Sequence, residues 1–149
     1  MALPVFIGDF MIININIKQI GSRKKIAPVP FEYPEKPATV RELITQTVNI
    51  CVEDYNRRVR AGEDAFKPIT NEQISSMAQV GKIAFGINYG GREQALEPAV
   101  NNAIQAFEDG LYRIFQGEDE LEGLDRTIDI NENDELTFIR LTMLTGRMW

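Results

Sequence analysis

The residue pattern predicts an α+β protein: a mixed β-sheet packed on one long helix, with a further helical segment inserted in mid-chain. Three observations carry that expectation. Residues 11–18 (MIININIK) alternate apolar and polar side chains with the period of a half-buried strand. Val40, Leu43, Ile44, Val48, Cys51 and Tyr55 recur at the three- and four-residue spacing that lines one face of a helix. Near the other end, residues 136–143 (LTFIRLTM) form a second apolar alternation directly after the turn residues Asn133 and Asp134.

Each element follows from local chemistry. In the first strand Ile13, Ile15 and Ile17 share one face, and Asn14, Asn16 and Lys18 share the other. The turn residues Gly21, Ser22 and Arg23 return the chain into a second strand over 25–33. Pro28 and Pro30 cannot donate ladder hydrogen bonds, so that strand belongs at a sheet edge. Thr39 and Glu42 have the spacing of a capping box, in which hydroxyl and carboxylate satisfy free backbone donors at a helix start. The helix then runs to about Arg60, and a right-handed crossover lets the final strand pair parallel to the first.

Residues 61–110 read as the helical insertion. Thr70 and Gln73 repeat the capping-box spacing, with Ile74, Met77 and Ala78 behind them. Pro98 suits an early helical position before Val100, Ala103, Ile104 and Phe107. Residues 86–91 (GINYGG) form the connecting loop, and Gly110 ends the last helix before a strand over 111–115. The run 118–122 (EDELE) reads as a solvated acidic loop. In the last strand, Ile139, Leu141 and Met143 are assigned to the core beneath the helix. Phe138, Arg140 and Thr142 then join Asn14, Asn16 and Lys18 on the outward face, unless the inserted helices cover that face and enclose Phe138 in a second small core.

With 149 residues the chain suits one domain over 1–149, since domains commonly hold ~100–150 residues; residues 1–10 read as a short extension ahead of the first strand. The composition, 44% hydrophobic and 26% charged, is that of a soluble globular protein. A net charge of -6 works against nucleic-acid binding, which needs clustered cations to displace counterions. One cysteine, Cys51, rules out an intrachain disulfide and a cysteine-rich zinc site, and fits a reducing cytoplasm. The first residues lack a basic leader region, and no run reaches the ~20 apolar residues of a bilayer span, so neither export signal nor membrane anchor is read.

Chemistry is constrained first by what is missing. There is no histidine, which removes Ser-His and Cys-His pairs, His metal ligands and the usual general base near neutral pH. Cys51 falls on the apolar helix face and reads as a small core hydrophobe. The acidic residues Glu118, Asp119, Glu120 and Glu122 match no EF-hand spacing. Gly90, Gly91 and Arg92 could cradle an anion with backbone donors and a guanidinium, though the loop lacks both the P-loop ending and the GxGxxG spacing. No motif asks for a metal or cofactor.

Over roughly 11–60 and 111–147, the order of strand, turn, strand, helix, then strand, acidic turn and long final strand resembles the ubiquitin-like β-grasp superfamily, as a bacterial ubiquitin-like or sulfur-carrier-like protein with a helical insertion. The resemblance implies a non-catalytic module that binds a protein partner through the outward sheet face, where Phe138 and Arg140 would anchor the contact. It also implies an alternative: a modifier or sulfur carrier activated at Gly146, which would require removal of Arg147, Met148 and Trp149. A third reading, a small-molecule-binding or enzyme subunit using the 86–92 loop, rests on the loop alone. Cellular pathway and oligomeric state leave no trace in the pattern.

Overall fold

The computed structural model describes residues 10–19, 28–61 and 77–141. In chain order these form β1 (Met11–Gln19), β2 (Val29–Tyr33), α1 (Val40–Arg60), α2 (Met77–Phe85), α3 (Leu96–Glu108), β3 (Tyr112–Gln116), β4 (Asp119–Glu120) and β5 (Glu135–Arg140). The five strands make one sheet in the order β2-β1-β5-β3-β4. The central pair β1–β5 is parallel, and the other three pairings are antiparallel. A parallel pair cannot be closed by a tight turn; here the chain from α1 to β4 makes the long connection. β2 is an edge strand, which is where Pro30 can sit without costing the ladder a donor.

Helix α1 begins as its capping residues require. The Thr39 hydroxyl accepts from the Glu42 N–H at 3.2 Å, and the Glu42 carboxylate accepts from the Ala38 N–H at 2.9 Å. All six residues of the expected apolar face are buried, but so are Thr47, Val52, Asp54 and Asn56, a wider sector than one stripe. The extra burial comes from the insertion. α2 and α3 share the core side of the sheet with α1: Phe85 packs on Tyr112 and Phe138, and the Tyr112 hydroxyl donates to the Ala103 carbonyl at 2.7 Å. The molecule is therefore a sheet with all three described helices on one face.

Close approach between α1 and α2 depends on Gly81. A Cβ there would sit 2.6 Å from the Tyr89 hydroxyl oxygen and 2.8 Å from the Cys51 Cβ. Helix propensity favours alanine over glycine by about 1 kcal/mol, so an exposed site would gain from the exchange. Overpacking a filled core costs about 1–3 kcal/mol and wins. Gly81→Ala is accordingly expected to lower the urea midpoint without changing the slope; a raised midpoint would place α2 away from α1.

Three expectations need correction. Parallel register pairs Ile15 with Leu136 and Ile17 with Phe138, so Leu136 and Phe138 lie on the core face, both at 0% exposure. Ile139, half-buried, takes the outward face opposite Lys18. The acidic run is not a free loop: Asp119 and Glu120 pair with Gln116 and Phe115 as β4, and Leu121 is buried after its N–H bonds the Ile114 carbonyl at 2.8 Å. The described part of the final strand stops at Arg140. Thr70, Gln73, Ile74, Thr142, Met143 and Gly146 lie outside the described residues.

Candidate interaction surface

The sheet face opposite the helices is built by register. Lys18, Ile139 and Arg113 form one row across β1, β5 and β3, and Asn16, Thr137 and Phe115 form the next. Lys18 and Arg113 are exposed, while Ile139, Thr137, Phe115 and Asn16 are half-buried. The Asn16 side-chain amide donates to the Glu135 carboxylate at 3.2 Å, and the Arg113 Nε stands 3.8 Å from the Glu120 carboxylate. At such exposure that ion pair contributes little, leaving the guanidinium free to re-pair. Two cations thus flank an aliphatic residue, on a chain whose net charge is -6.

Of the residues the sequence pointed to, Asn14, Asn16 and Lys18 do share this face. Phe138 does not. Its ring stacks with Tyr112 at 6.3 Å between centroids and meets Phe85 edge-on at 5.5 Å. Arg140 follows it to the core face and turns to the C-terminus of α2, where its Nη1 donates to the Ala84 carbonyl at 3.5 Å. A cation is favourable there, against unsatisfied carbonyls at the negative end of a helix. Gly86 makes room for it: with φ +72 and a would-be Cβ only 3.3 Å from Arg140 Nη2, the position suits glycine on both counts. Thr142 and Gly146 lie outside the described residues.

The 86–92 loop is a largely exposed strap pinned at Tyr89 and Gln94. The Gln94 side-chain amide donates to the carbonyls of Tyr89 and Arg92, which closes the turn on itself. The Asn56 side chain bonds both the N–H and C=O of Gln94, at 2.8 and 2.9 Å, and Tyr89 stacks on Tyr55 at 4.2 Å. Gly90 and Gly91 supply the positive φ of the turn, and Arg92 is exposed.

Cys51 is fully buried against Gly81, and burial first, then the nearby Asp54, pushes its thiol well above the usual value. Such a thiol is the opposite of an activated nucleophile. Asp54, 1% exposed, accepts from Arg57, Arg58 and the Ala78 N–H, and so holds the start of α2 against α1. Sequence reading missed Arg113, Phe115, Thr137 and Ile139. Residues two apart in a strand share a face, which puts Arg113 with Phe115, but only the β5 register says that this face is the outward one.

No described helix is long and apolar enough to cross a membrane. No group of acidic or thiol side chains among the described residues is arranged to hold a metal ion. What fold and surface define together is an α+β protein with a cation-flanked sheet face that no described helix covers. No protein-family model matches the chain, nor does any curated protein or solved structure.

Proposed function

We propose that the chain is a ubiquitin-like β-grasp domain acting in the cytoplasm as a non-catalytic module that binds a protein partner through its open sheet face. The observation that carries the reading is the row Lys18–Ile139–Arg113, an aliphatic centre between two exposed cations on the face that no described helix covers. Supporting the fold are an antiparallel β1–β2 pair, helix α1 following it on the core side, the strand order β2-β1-β5-β3-β4, and a final strand parallel to the first. Supporting a reducing compartment is the lone buried thiol of Cys51. The partner surface is acidic with an apolar side chain to meet Ile139, since complementary charge steers encounter and excludes like-charged competitors.

The test is a charge reversal. Lys18→Glu together with Arg113→Glu alters two exposed side chains and should leave thermal stability close to that of the parent. Quantitative capture from the native host should then fall by about tenfold or more for the specific partner. A partner retained equally by parent and double variant would remove the sheet face from the account.

A further inference from the structure

A concavity lies at the β3–β4 edge of the sheet. It is an open cleft of about 570 Å³ between the first turn of α1, the C-terminal end of α3, strands β3 and β4, and the 122–125 segment. That volume is within the ~300–1,000 Å³ of ligand sites. Its walls carry two guanidiniums, Arg41 and Arg113, and four carboxylates, Glu108, Glu120, Glu122 and Asp125. Each guanidinium has a carboxylate beside it, Arg41 at 3.5 Å from Asp125 and Arg113 at 3.8 Å from Glu120, so the walls carry two carboxylates in excess of the cations. Glu108 and Glu122, both exposed, make no ion pair among the described residues.

The apolar part of the cleft is supplied by Phe107 and Leu124. Phe107 is half-buried, its ring tilted against Tyr112 at 5.8 Å, so one side remains available to the cleft. Gly110 and Gly123 line the cleft too, and a Cβ at either would meet nothing within 4 Å, so that backbone is open to approach. An aromatic ring attracts a cation through its quadrupole as well as burying an alkyl stem. Two unmatched carboxylates beside an aromatic and an aliphatic wall therefore select charge and stem together.

We propose that this cleft binds an organic cation, an alkylammonium or guanidinium group on an apolar stem, with Glu108 and Glu122 taking the charge and Phe107 and Leu124 the stem. The chemistry is common to a free polyamine and to a lysine or arginine side chain of a protein. Arg113 borders both this cleft and the sheet face, but the charge-bearing residues of the proposal, Glu108 and Glu122, lie outside the rows that form that face, so their variant leaves the sheet-face residues unchanged.

The experiment is a backbone-amide NMR titration of the full chain with spermidine and, separately, with a capped Gly-Arg-Lys-Gly peptide, both at millimolar concentration. Hexane-1,6-diol serves as an uncharged stem and magnesium chloride as a stemless cation. Saturable shifts confined to residues around 107–113 and 120–125 are expected with at least one organic cation. The Glu108→Gln/Glu122→Gln variant should weaken them about tenfold while keeping the parent's thermal stability. Shifts with spermidine alone assign the site to a small polyamine; shifts with the peptide alone assign it to a basic protein segment; shifts with both support the shared chemistry. Equal shifts with magnesium or the diol, no saturation with either organic cation, or an unaffected double variant would overturn the proposal.

Discussion

Replacing Phe138 by alanine should destabilise the protein by about 3–5 kcal/mol, as large aromatic deletions in filled cores do. The side chain is at 0% exposure and closes a three-ring cluster in which Phe85 meets Tyr112 at 5.2 Å and Phe138 at 5.5 Å, both edge-on. Edge-on aromatic pairs add about 0.5–1.5 kcal/mol each beyond area burial, so deleting the ring removes pair energy as well as leaving a void. Domains of this size are stable by about 5–15 kcal/mol, and the loss is therefore a large share of the total. Ile139→Ala, one residue along on the open face, is the natural contrast and should cost well under half as much. Urea unfolding of both variants checks the point. Comparable midpoints for parent and Phe138→Ala would mean that Phe138 is the outward residue and Ile139 the buried one.

That contrast marks where the sequence stops being readable. The run LTFIRLTM is apolar at both parities, Leu136 and Phe138 in one phase and Ile139 and Leu141 in the other. Choosing between them needs the β1 register, and register is a property of two strands more than a hundred residues apart. β1 was legible because its alternation has a single phase, with isoleucine against asparagine and lysine. The α1 face was legible for the same reason, and the positive φ at Gly110 agrees with its place just past a helix end.

Residues whose role depends on a distant partner were not legible. Arg140 faces a helix end supplied from the insertion, Gly81 is required only because Cys51 lies opposite, and the 86–92 loop is tied down through Gln94 by Asn56 of α1. Leu121 was hidden in a run of acids that, taken alone, looks solvated, whereas its burial follows from the short β3–β4 pairing. The outward residues of β1 were named from its alternation; in β5 the reading was shifted by one residue at Phe138 and Arg140, and in a strand that exchanges side chains between faces.

Alkaline pH should unfold the protein cooperatively, because every tyrosine in the chain is held above its usual value by burial. The chain has four, and Tyr33, Tyr55, Tyr89 and Tyr112 are all raised, with desolvation the first cause in each case. Hydrogen bonding adds a geometric reason. The Tyr112 and Tyr89 hydroxyls donate to the carbonyls of Ala103 and Ala78, at 2.7 and 2.6 Å, and a phenolate has nothing to donate. Tyr33 stands 2.6 Å from the Thr47 hydroxyl, whose one proton goes to the Leu43 carbonyl, so Tyr33 must be the donor there as well. Cys51, raised by the same burial, joins them from a usual value of 9.0. The sign follows from linkage: a folded pKa above the unfolded one stabilises fully below the unfolded value, and that contribution is lost as pH rises past it, because the unfolded chain releases its protons first. For tyrosine the loss starts near the usual value of 10.0 and proceeds at about 1.4 kcal/mol per pH unit for each group. Three or four groups acting together can exhaust a typical folding free energy within about two pH units. Absorbance of tyrosinate near the ultraviolet edge and helical circular dichroism, followed together from neutral pH upward, should change in one shared, steep step above pH 10, and Tyr33→Phe should make that step shallower. A gradual tyrosine titration centred near its usual value, with the helical signal intact, would show that these hydroxyls are in contact with water in the folded protein.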